Sequence, residues 1–95
     1  MRNLSELREA LDAIDRQMVA LYEQRMEVSR EIAAYKRANG LPIRDEGREA
    51  HVLATRRAWL KDDALGGGCE EMMRGLMRLS AQAQEEWIKE ADDHA

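Results

Sequence analysis

Arg25 occupies a position where a greasy residue is due. Apolar residues recur at Leu4, Leu7, Leu11, Ile14, Met18, Leu21, Val28, Ile32 and Tyr35 in a three-then-four spacing, and position 25 belongs to the same stripe. Desolvating an unpaired guanidinium costs several kcal/mol, so a cation among core positions asks for an anion. No acidic residue shares the stripe, which leaves a bound anion as the expected partner. Lys36 lies eleven residues on, three helical turns plus about 20°, hence on nearly the same face and roughly 16 Å along the axis. Asp45, Arg48 and Glu49 fall at i, i+3 and i+4 of a further segment, and Ser80 and Gln84 continue an apolar row begun by Met73 and Met77. Together these residues would hold a small dianion carrying a hydroxyl, since arginines meet carboxylates in bidentate pairs. No activated nucleophile, metal cluster or cofactor motif accompanies them. Positioning and electrostatics remain as catalytic means, and a unimolecular rearrangement suits them.

The elements that must position these groups are helical. One proline, no phenylalanine and 36% charged residues in a 95-residue chain favour an all-α fold with one modest core over residues 1–95. The periodicity predicts helix 1 over about 4–38, with a capped, acidic first turn around Ser5, Glu6 and Glu9. Asn39-Gly40-Leu41-Pro42 stops it. Helix 2 is expected over about 45–61 with Asp45 as N-cap, then a flexible connector through Gly66, Gly67 and Gly68, and helix 3 over about 70–91. A helix of 35 residues is roughly 50 Å long, more than a globule of this size covers. The expected architecture is therefore long, middle and long helices in an intertwined antiparallel homodimer. Arg8 lies roughly 25 Å up helix 1 from Arg25 and about 100° around it, so it reaches the same small ligand only from the partner chain.

Composition narrows the remaining classes. A net charge of −4 argues against nucleic acid as a partner. No stretch is long and apolar enough to span a membrane and the start is not a secretory signal, so the chain reads as cytoplasmic. Cys69 is the only cysteine and forms no intrachain disulfide; it, His51 and His94 read as structural or surface residues. The three glycines lack the Lys-Ser/Thr of a phosphate loop.

These residues resemble the all-helical, AroQ-class chorismate mutases, from LSELREALDAIDRQMVALYEQR through EVSREIAAYK and LPIRDEGRE to LMRLSAQAQ. The resemblance implies an isomerase of the shikimate pathway that converts chorismate to prephenate by a Claisen rearrangement, with no cofactor and no metal. It further implies that Arg25 and the partner's Arg8 grip the substrate carboxylates, with Arg48 adding positive charge. Lys36 and Gln84 would donate to the ether oxygen, Glu49 with the backbone around Asp45 would receive the ring hydroxyl, and Ser80 would support a carboxylate. Three other readings share the fold: an isochorismate-pyruvate lyase, an aminodeoxychorismate mutase and a noncatalytic dimerisation or regulatory domain. Glu49 and Ser80 favour the mutase over the lyase. Gly47 and Gly75 depart from good helix sequence.

Overall fold

In a computed structural model describing residues 1–95, helix α1 (Leu4–Ala38) is followed by α2 (Glu46–Ala58), a single 3-10 turn (Asp63–Leu65) and α3 (Gly66–Asp93), with no strand. The fold is all-α. Local chemistry sets each boundary. Asn3, two residues before Ser5, caps α1 by accepting from the Glu6 amide at 2.9 Å. Gly40, at φ +62°, ends it in the left-handed conformation that glycine adopts freely. There the amides of Gly40 and Leu41 return to the carbonyls of Arg37 and Lys36, the paired bonds of a Schellman stop. Asp45 caps α2 through the Arg48 amide at 3.0 Å.

Two expected boundaries move. Helix α2 stops at Ala58 rather than near Lys61, because Asp62 accepts from the Ala64 amide at 3.0 Å and starts the 3-10 turn instead. The glycines are not a flexible connector: they form the first turn of α3, which starts four residues earlier than the sequence suggests. Gly66 is buried there, and a Cβ on it would sit 2.6 Å from the Arg57 guanidinium. That close approach lets Arg57 reach Glu70 at 3.0 Å, fastening the end of α2 to the start of α3.

The three helices lie in a sheet-like layer. The molecule measures 59 × 27 × 14 Å, and 14 Å is little more than the ~10–12 Å thickness of one helix. Its radius of gyration, 17.0 Å, exceeds the about 12 Å expected of a compact chain this long. Helix α3 runs parallel to the C-terminal half of α1: Ser29 meets Ser80 and Gln84, Arg30 stacks on Trp87, and Arg37 pairs with Asp92 at 2.7 Å. Helix α2 returns antiparallel between the turns that join it to its neighbours.

The stripe from Leu4 to Tyr35 is not the core seam of this chain. All nine of its apolar members are exposed, from 42% at Leu7 to 64% at Tyr35. The face of α1 that packs on α3 lies one residue to the side, at Met26, Ser29 and Ala33, with Ser29 and Ala33 buried. On α3 the buried row is Met73, Ser80, Ala81 and Gln84, while Met72 and Leu79 remain exposed. No helix is long and apolar enough to cross a membrane.

Gly75 sits in the interior of α3, and a Cβ there meets nothing within 4 Å. Gly75→Ala is therefore expected to stabilise the chain by about 0.5–1 kcal/mol through reduced unfolded-state entropy. Urea unfolding followed by circular dichroism checks this. A lowered midpoint would mean that something beyond this chain packs against Gly75.

Candidate functional site

One open cavity of about 840 Å³ lies between the C-terminal half of α1, the 41–45 turn, α2 and the middle of α3. Seven of the eight expected residues line it: Arg25, Lys36, Asp45, Arg48, Glu49, Ser80 and Gln84. Arg8 is not among them. It is exposed in the first third of α1, on the part of that helix that extends past α2 and α3.

The cavity is cationic within an acidic chain. Arg25, Lys36, Arg44, Arg48 and Arg56 line it against only two carboxylates, Asp45 and Glu49. Asp45 is already occupied as the α2 cap, and Glu49 faces Arg44 at 3.9 Å. Arg25 makes no ion pair with any acidic residue. Burial holds its guanidinium below the usual arginine range, and repulsion from Arg56 and then Arg48 adds to the effect. It stays protonated at neutral pH, so the charge is retained at a cost. An anion entering between these groups would relieve it.

The floor is a buried polar cluster. Ser29 and Ser80 hydrogen-bond through their hydroxyls, and Gln84 Nε2 donates to Ser29 Oγ at 2.9 Å and to Ser80 Oγ at 3.2 Å. Both amide hydrogens are thereby engaged, and Gln84 Oε1 is buried with no partner. An unsatisfied buried acceptor costs about 1–3 kcal/mol. A half-turn of the amide would let a serine hydroxyl donate to Oε1 and turn the NH₂ group the other way. At the opposite end Lys36 Nζ donates to the Ile43 carbonyl, tying the turn before α2 to α1. One of its three N–H bonds is used.

Two important residues escaped the sequence reading. Ser29 is four residues after Arg25 on the same helical face, a spacing that marks it as part of the same wall. Arg56 follows Arg48 by eight residues, with buried Val52 midway, so all three share one face of α2. Both look unremarkable singly, a small polar residue and an arginine near a helix end.

The profile of the family described as chorismate mutase type II matches residues 7–85. This chain belongs to that family. Among curated relatives of the chorismate mutase type II chain are the T-protein of Haemophilus influenzae, 31% identical over 81 residues, and the T-protein of Enterobacter agglomerans, 36% identical over 80. These alignments cover 84% and 81% of the chain but 22% and 21% of the relatives. A 3-dehydroquinate dehydratase of Pyrobaculum aerophilum is 49% identical over 50 residues, 53% of the chain and 17% of that protein. The chain thus spans about a fifth of the length of these relatives. No solved structure matches.

Removing one hydroxyl from the floor leaves the others short of a partner. Ser29→Ala is expected to destabilise the fold by about 1–3 kcal/mol, more than an exposed Ser5→Ala, in chemical denaturation. Equal midpoints for the two variants would contradict a buried network.

Proposed function

We propose that this chain is a chorismate mutase, an isomerase that rearranges chorismate to prephenate on the route to phenylalanine and tyrosine. The supporting observation is the cavity in which Arg25, Lys36 and Arg48 face Glu49, Ser80 and Gln84, in a chain whose family is chorismate mutase type II. The substrate is a dicarboxylate with a ring hydroxyl and an enolpyruvyl ether. Its two carboxylates match the surplus of cations, and the hydroxyl matches Glu49 beside the Asp45 cap.

The reaction is a concerted [3,3] shift: the ether carbon–oxygen bond breaks as a carbon–carbon bond forms, with no nucleophile and no proton transfer needed. The site acts on two quantities. Arg25 and Arg48 fix the carboxylates so that the ends of the shifting system meet, which removes the entropy of the productive conformer beforehand. The ether oxygen gains negative charge as its bond breaks, and fixed donors aimed at it stabilise the transition state more than the ground state. Lys36 has two N–H bonds free beside the one spent on Ile43. Gln84 would donate from the NH₂ group after the half-turn that also satisfies its orphan Oε1. Ser80, hydrogen-bonded to Ser29 and Gln84, would hold the Gln84 amide in that orientation and support a carboxylate.

The reading includes a homodimer in the cytoplasm. The uncovered stripe of α1 is a face that a second copy would bury, and antiparallel pairing of two such helices would bring the partner's Arg8 alongside Arg25. Each site would then be built from both chains.

Purified protein mixed with chorismate is expected to consume its absorbance and yield prephenate. Salicylate plus pyruvate would show a lyase, and no consumption at micromolar enzyme a noncatalytic domain. Arg25→Ala and Lys36→Ala are each expected to retain less than about a tenth of the rate, a loss above ~1.4 kcal/mol of transition-state stabilisation, with the helical dichroism kept. Higher retention in either would remove that residue from the assigned role. Shared sites are checked separately: Arg8→Ala and Arg25→Ala, each impaired alone, should regain activity when mixed and re-dimerised, because one hybrid site keeps both arginines. Proven heterodimers without that gain would rule out the shared arrangement.

A further inference from the structure

In the proposed site Arg25 and Arg48 hold the substrate carboxylates, which leaves Arg56 without a task. Arg56 lines the same cavity and forms no ion pair with any acidic residue. Its NH1 donates to Thr55 Oγ1 at 3.0 Å, and its guanidinium carbon lies 4.7 Å from the Trp59 ring centroid. The indole face attracts the guanidinium without neutralising it, leaving further N–H groups for a ligand.

Helix register places Arg56 at the Arg25 end of the cavity. Lys36 and the start of α2 are joined at one end through the Ile43 carbonyl. From there α1 read backwards from Lys36 to Arg25 and α2 read forwards from its Asp45 cap to Arg56 each run eleven residues, about 16 Å in nearly the same direction. Arg56 and Arg25 therefore face each other across the far end, with Arg48 about two turns back toward the Lys36 end. The electrostatics agree, since Arg56 opposes the Arg25 charge more strongly than Arg48 does. Two facing arginines with no carboxylate between them form a bidentate clamp awaiting its anion.

We infer that Arg56 is a substrate-binding residue that grips, together with Arg25, the carboxylate lodged at the far end of the cavity. This rests on the chorismate mutase reading and assigns that carboxylate a second guanidinium from within the same chain. The clamp acts on a group remote from the breaking bond, so its contribution is to substrate binding. Asp45 and Glu49 lie toward the Lys36 end, which keeps the Arg56 end free for a carboxylate.

Steady-state kinetics with chorismate on the wild type, Arg56→Lys and Arg56→Gln test the assignment, with circular dichroism melts as the folding control. Arg56→Gln should raise KM about tenfold or more with a much smaller fall in kcat, and Arg56→Lys should lie between, because an ammonium restores charge without the fork. A KM in Arg56→Gln equal to the wild type, or a fall confined to kcat, overturns the inference. If Arg56→Gln loses its helical signal, Arg56→Lys decides: a rise in KM of about threefold supports the clamp and an unchanged KM overturns it. A wild-type protein inert toward chorismate would instead overturn the functional reading and the clamp with it.

Discussion

The contact between Ser29, Ser80 and Gln84 sets the register on which the rest of the site depends. No large side chain is fully buried in this chain, so apolar packing alone would let α1 slide along α3 at small cost. Hydrogen bonds are less forgiving, because a shift of one residue strands buried hydroxyls and an amide. Once Ser29 is held against Gln84, Arg25 and Lys36 are fixed one turn above it and two turns below, facing α2. The Arg57–Glu70 pair and the Gly66 contact then hold α2 against the start of α3.

The site built on that register sets charge against solvation. Guanidiniums are placed opposite one another in a half-buried cavity, and the nearby carboxylates are committed to the α2 cap or to Arg44. Such an arrangement lowers the stability of the empty fold. It also means that a dianion entering the cavity finds donors already in place, with little reorganisation left to make. Gln84 shows the same tension on a neutral group, with an acceptor left unpaired in the floor of the cavity.

Much of this was legible in the residues. Periodicity gave the three helices, Gly40 and Asp45 gave two boundaries, and eleven- and four-residue spacings gathered Arg25 with Lys36 and Ser80 with Gln84. What was not legible depended on tertiary context. A run of glycines is flexible by propensity, yet Gly66 opens α3, buried beneath the Arg57 guanidinium that reaches across to Glu70. Helix α2 ended early because Asp62 took up a competing cap. The apolar stripe of α1 has the periodicity of a core seam, but hydropathy does not say which of two adjacent faces this chain covers. Small residues at Ser29 and Ala33 turned out to permit the close approach of α3. Arg56 and Ser29 are silent in the sequence because an arginine or a serine carries no signal until its neighbours across the cavity are known.

A slab 14 Å thick has almost no inside. Opening it transfers little apolar area to water, and heat-capacity increments and denaturant slopes both scale with that area. The isolated chain should therefore melt over a broad range of temperature or urea, with a shallow transition. A sharp one would have its origin in surface covered outside the chain, so the steepness of the melt reports how much of the structure is shared.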